Sequence, residues 1–133
     1  MECYMRNLSK IALSVAAAIA LATPGMAVAH PRLLSATPAA NASAPALSRI
    51  VLTFSERLTP RLSGATLTMT GMPGMANHPD MKMTGITAAI GSDGTSIVLT
   101  AAKPLPPGTY RVDWHVVGAD THRITGVHSF AIR

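Results

Sequence analysis

At 133 residues the chain has room for one domain and not for two of ordinary size. Its single cysteine excludes an intramolecular disulfide framework and any cysteine-rich zinc module, which leaves eight methionines as the compositional oddity. The formal charge of +5 admits an acidic partner, but the eleven Lys and Arg residues are scattered along the sequence without patch or stripe, so nothing supports nucleic-acid binding.

The chain opens on an export signal, Met1 to Ala29. Arg6 and Lys10 make its basic start, Ile11 to Ala22 its apolar run, and Thr23-Pro24-Gly25 breaks the run before the A-x-A cleavage signature Ala27-Val28-Ala29. The run is shorter than the roughly 20 residues needed to cross a bilayer, so no membrane span is expected once the signal is removed. Met5 is an alternative start, and Cys3 leaves with the signal. Cleavage after Ala29 gives a 30–133 domain that begins with His30, lacks cysteine and has nine basic against five acidic side chains. An exported bacterial-type domain without cysteine is expected to work in an oxidising compartment, where soft metals must be held by ligands other than thiols.

The rest reads as short strands between Pro, Gly, Asn and Ser clusters, an all-β pattern. The expected strands are Arg32 to Ala36, Arg49 to Phe54, Gly64 to Thr70, Gly85 to Ile90, Thr95 to Ala101, Thr109 to Val117 and Thr125 to Ile132. Ile50, Leu52 and Phe54 alternate on one face, as do Ala65, Leu67 and Met69, which predicts strands with one buried side. Gly91-Ser92-Asp93-Gly94 is a hairpin signal, and Pro104-Leu105-Pro106-Pro107-Gly108 a tight non-helical crossing. Tyr110, Val112, Trp114 and Val116 share a face and anchor the core. About seven strands in this length suggest a β-sandwich or small barrel.

Five methionines lie in the segment Met69 to Met83, among Gly71, Pro73, Gly74 and Pro79, residues that make a helix there improbable and a loop the expectation. Thioethers are soft, neutral ligands suited to Cu(I), and three or four converging Met or His side chains fill a trigonal or tetrahedral shell, with His78 as the nitrogen donor. The plainer alternative is that these methionines fill gaps in a small core, and Met69, at strand spacing from Leu67, is most open to it.

Harder donors sit elsewhere. The amine and imidazole of His30 can chelate Cu(II) if cleavage exposes them, while Pro31 lacks the amide proton through which main-chain chelation would continue. Asp120 and His122, an i, i+2 pair on one side of an extended segment, complete a tetragonal N/O set. The plainer reading of D-x-H is a hydrogen-bonded surface turn. His115 is expected on the solvent side of its strand, opposite Trp114, and His128 at the core edge. Glu56 has a structural alternative too, a surface pair with Arg57 or Arg61.

These residues together resemble the CopC-type periplasmic copper-resistance proteins (the CopC/PcoC family) over essentially the whole mature chain. The matching stretches are His30-Pro31-Arg32-Leu33, Ser35-Ala36-Thr37-Pro38, Phe54-Ser55-Glu56, Met69-Thr70-Gly71-Met72-Pro73-Gly74-Met75, Gly108-Thr109-Tyr110-Arg111-Val112-Asp113-Trp114 and Asp120-Thr121-His122-Arg123-Ile124-Thr125-Gly126. The resemblance implies a Greek-key β-sandwich of the immunoglobulin-like or cupredoxin-like kind, with Cu(I) in the Met-rich loop at one end and Cu(II) at the other. It carries the Cu(II) ligands onto His30, Asp120 and His122, with Glu56 matching an acidic residue sometimes near that site. The Cu(I) set falls on Met69, Met72, Met75, His78 and Met81. Met75 to Met81 is one residue longer than the family pattern and Met83 is an additional candidate, so the choice among these ligands stays open.

The function expected from residues and resemblance together is a monomeric exported copper carrier in copper resistance and homeostasis, not an enzyme. The resemblance suggests an inner-membrane copper permease or an exported multicopper oxidase as its partner. A blue-copper electron-transfer site needs a cysteine thiolate, which the mature chain lacks. The remaining alternative is a metal-free exported immunoglobulin-like interaction module, with the Met loop a sticky surface.

Overall fold

Apolar residues at every second position put one side of each strand out of water, and this alternation sets the elements. The computed structural model describes residues 30–133, so the export-signal reading of Met1 to Ala29 lies outside the described residues. Nine strands follow in order among the described residues: β1 Leu33–Thr37, β2 Ser43–Ala44, β3 Arg49–Phe54, β4 Gly64–Gly71, β5 Met81–Lys82, β6 Ile86–Ile90, β7 Ser96–Ala101, β8 Gly108–Val117 and β9 Arg123–Ile132. One 3-10 turn among the described residues, Pro60–Leu62, precedes β4. The seven expected strands are all present. The two additions, β2 and β5, are two-residue strands whose pairing comes from tertiary contact and leaves no periodic signal in so short a stretch.

Two sheets form, in the orders β1-β3-β7-β6 and β2-β9-β8-β4-β5, so the molecule is a Greek-key sandwich and not a closed barrel. The crossing at Pro104 to Pro107 carries the chain from β7 in one sheet to β8 in the other, with Leu105 buried beneath it. The hairpin signal at Gly91 to Gly94 does join β6 and β7. There Asp93 closes the turn by accepting hydrogen bonds from the Thr95 and Ser96 amides and the Ser96 hydroxyl.

Ile50, Leu52 and Phe54 of one sheet meet Leu67, Met69, Tyr110, Val112, Trp114 and Val116 of the other in a single buried cluster. Each such side chain taken out of water contributes about 1.5–3 kcal/mol before entropy is charged against it. Tyr110 stacks on Phe130 and donates its hydroxyl to the Pro106 carbonyl at 2.6 Å, so a large ring is buried without an unpaired hydroxyl. Trp114 meets Phe54 edge-on and lies over Gly126, its cross-strand neighbour, where a Cβ would overlap the indole. His128 is buried at the core edge, with Nε2 2.8 Å from the Pro38 carbonyl. His115 faces away from Trp114 as expected but is half-buried, not fully solvated.

The register fixes the two ends. Gly71 pairs with Thr109 and Ile132 with Gly108, whereas Gly64 pairs with His115 and Arg123 with Val117. The β4–β5 loop and the β8–β9 loop therefore lie at opposite ends of β8. Ten residues of strand at about 3.3 Å each separate them by roughly 30 Å. No helix among the described residues is long and apolar enough to cross a membrane.

Candidate metal centre

At the β8–β9 end, ligand atoms of His30, Asp120 and His122 all lie within 4.8 Å of one another. Donors about 2.0–2.2 Å from a common ion lie within about 4.4 Å of each other, so small side-chain movements close this group around a metal. Both imidazoles are exposed, while the Asp120 side chain is only 8% exposed. Asp120 Oδ2 touches His30 Nδ1 and stands 3.2 Å from His122 Nδ1, and its Oδ1 accepts a hydrogen bond from the His122 amide. The imidazole rings of His30 and His122 meet edge-on with centroids 5.2 Å apart.

Burial is the largest single influence on the Asp120 carboxyl and raises its pKa. The hydrogen bonds from the His122 ring and amide, with the charge and hydrogen bond of His30, together outweigh it. The net direction is downward, which keeps this group an anion and a hard ligand.

Asp120 and His122 do not lie on an extended segment. Thr121 between them takes the left-handed conformation, φ +68°, and its amide closes a turn onto the Gly118 carbonyl. A β-branched residue at positive φ is uncommon and persists where surrounding contacts impose it. The hydrogen-bonded turn weighed as the plain reading of D-x-H is thus present, and the same turn carries Asp120 Oδ2 to the two imidazoles.

His30 is brought there by its neighbours. Pro31 is buried against Gly118, and the Arg32 amide donates to Ser55 Oγ while its carbonyl accepts from the Ser55 amide, each at 2.9 Å. Sequence reasoning missed Gly118 and Ser55 as positioning residues. The fixed ring of Pro31 beside His30 was a usable signal for the first; nothing local marks the second. Glu56 is half-buried and outside the three-residue cluster, and among the described residues it forms no ion pair with Arg57 or Arg61. Arg57 lies instead over Gly94.

At the other end the methionines are not all on a loop. Met69 lies in β4, 1% exposed and part of the core, because the alternation that began at Ala65 simply continues through it. Met81 pairs with Met69 from edge strand β5 and is 47% exposed. Met83 is partly buried against the core, and its amide donates to the Leu67 carbonyl. Only Met72 and Met75 stand wholly in the connection, 39% and 51% exposed.

These two face each other in an isolated antiparallel bridge, closed by the Met75 amide on the Met72 carbonyl at 3.1 Å. Pro73 and Gly74, the latter at φ +77°, occupy the central positions of this turn as a type II geometry demands. Residues opposed in this way begin their side chains about 4.5–5.5 Å apart, so the turn starts two methionine side chains next to each other. Further along, His78 is half-buried and its Nδ1 is fully covered with no hydrogen-bond partner. Arg111 fastens the return of the loop, with Nη1 3.1 Å from Asp80 and Nε on Asp113.

Residues 33–133 match the model of the CopC domain. The chain is 49% identical over 107 residues to copper resistance protein C of Escherichia coli, covering 80% of this chain and 84% of that protein. It is 45% identical over 128 residues to copper resistance protein C of Xanthomonas campestris pv. juglandis, covering 96% and 97%. Among solved structures it is similar to PcoC, a methionine-rich copper resistance protein from Escherichia coli, with TM-score 0.72 and 47% identity over 79% of this chain and all of that one.

Proposed function

The chain belongs to the CopC domain family, and on that premise we propose that it is an exported copper-binding protein of copper resistance, one that carries the metal and does not transform a substrate. The observation that carries the reading is the meeting of His30, Asp120 and His122, drawn from two distant parts of the sequence. Two imidazoles and an ionised carboxylate suit Cu(II), and the α-amine of His30 adds a fourth donor once cleavage has occurred after Ala29. The cargo at the far end is Cu(I), held by Met72 and Met75 with His78 and Met81. The covered, unpartnered Nδ1 of His78 supports this, since a buried nitrogen without a partner is costly unless something binds it.

Separate soft and hard sites let the oxidation state decide where copper sits. A single redox centre would have to tolerate both geometries. Exposed ligands at both ends allow the ion to be passed on, and the receiver we propose is an inner-membrane copper permease or an exported multicopper oxidase.

Anaerobic Cu(I) titration of the mature protein against a chromophoric competitor tests the carrier role; binding no tighter than the micromolar range contradicts it. For Cu(II), the electron paramagnetic resonance spectrum should be nitrogen-rich and tetragonal and should change in His122→Ala. A protein with one extra residue ahead of His30 that binds Cu(II) unchanged would exclude the terminal amine.

A further inference from the structure

We propose that the methionine end of the sandwich is a docking face for an acidic protein surface, the site at which the copper carrier proposed above, on whose reading this rests, meets its receiver. Cations that look scattered in the sequence are gathered by the topology. Arg49 begins β3 opposite Thr100, Lys82 ends β5, Lys103 follows β7, and Arg133 follows the pairing of Ile132 with Gly108. All four therefore lie at the Gly108 end of the sheets, where the Met72–Met75 turn lies, and all four are exposed.

Among the described residues none of the four has a carboxylate within 4.0 Å; Asp80, the aspartate of this end, is held by Arg111, which also holds Asp113 midway along β8. The opposite end is mixed: Arg32, Arg57, Arg61 and Arg123 share it with Glu56, Asp93 and Asp120. At the same end Met72, Met75 and Met81 are exposed, and a shallow depression runs from Gly71 and Pro73 to Ala131 and Ile132.

An apolar centre inside a polar rim is the anatomy of a protein–protein interface. Uncompensated charge of one sign steers a partner of the other sign and raises association rates by about 10- to 1,000-fold. An anionic membrane fits less well. The large aromatic rings Tyr110, Trp114 and Phe130 are buried, and the cations come from four separate segments instead of one basic run. Docking also suits ligand exchange: an incoming thioether bonds Cu(I) as a loop thioether leaves, with no change in oxidation state and no further reactant.

The test uses the copper-free protein and two synthetic peptides, each with a Met-x-x-Met core, one flanked by aspartates and one by lysines. In low salt the acidic peptide should shift amides of residues 71–82, Arg49, Lys103 and Arg133, bind at least tenfold more tightly than the lysine version, and release in about 0.5 M salt. The triple charge reversal R49E/K82E/K103E should weaken it at least tenfold and leave the Cu(II) spectrum unchanged. Equal binding of both peptides, or shifts confined to other surfaces, overturns the proposal. So does binding to phosphatidylglycerol vesicles without peptide binding, which would assign the face to lipid. Because no copper is present, failure here with intact Cu(I) affinity rejects the docking face alone, whereas absent Cu(I) binding rejects the carrier reading.

Discussion

Pro31 lies so close to Gly118 that a Cβ on the glycine would stand 2.8 Å from the proline Cγ. This packing holds the residue after His30 against the β8–β9 turn, and His30 reaches Asp120 as a consequence. In Gly118→Ala the proline must shift. We expect a stability loss of about 1–3 kcal/mol from overpacking and a roughly tenfold loss of Cu(II) affinity, although no ligand is altered. Unchanged Cu(II) affinity by competition titration would show that His30 does not depend on the contact.

The Met72–Met75 turn depends on its backbone. Gly74 has φ +77° and nothing within 4 Å of a Cβ, so Gly74→Ala meets strain but no clash. The expected cost is about 1 kcal/mol, and if the turn sets the two thioethers, Cu(I) affinity falls about fivefold. The same substitution with D-alanine, which favours positive φ, should restore affinity.

Met69 and Met72 should respond in opposite ways. Met69→Leu is a volume-conserving change within the core; it should cost less than about 1.5 kcal/mol in thermal unfolding and leave Cu(I) affinity unchanged. Met72→Leu or Met75→Leu should leave stability unchanged and lower Cu(I) affinity at least tenfold. Loss of Cu(I) affinity in Met69→Leu would return Met69 to the ligand set.

These contrasts mark how far the sequence could be read. Alternation along Arg49 to Phe54 and Tyr110 to Val116 was enough to place the strands and their buried faces, because that pattern is local. The same local pattern already hinted that Met69 belonged to the core. What periodicity could not convey was distance: that the four-residue turn at Met72 bridges Met72 to Met75, that β5 exists only because β4 is there to pair with, or that Asp120 turns back through a left-handed Thr121. His30, Asp120 and His122 were legible as one donor set, but what brings them together was legible only in part: Pro31 signalled its own side of the contact with Gly118, and the Ser55 hydrogen bonds have no signature along the chain. The gathering of Arg49, Lys82, Lys103 and Arg133 at one end was hidden for the same reason, since they come from four separate segments.

His115 supplies a pH signature. Burial, with the charge of Arg123 adding to it, lowers its pKa below the ordinary value of 6.5. The unfolded chain therefore takes up this proton first, so the contribution to stability is full above the unfolded pKa and declines as pH falls through about 6.5. Copper-free His115→Gln should lose less stability than the parent between about pH 7.5 and about pH 5.5 in denaturant unfolding. An identical decline in both proteins would remove His115 as the cause.

The most direct test of two oxidation-state-specific sites at opposite ends is an amide-resolved NMR map of the mature protein with each ion in turn. Cu(II) should broaden amides around His30, Ser55 and residues 118–123 and leave the methionine end sharp, while anaerobic Cu(I) should shift residues 71–83 and leave the His30 end in place. Either ion perturbing both ends, or both ions perturbing the same end, would contradict the account.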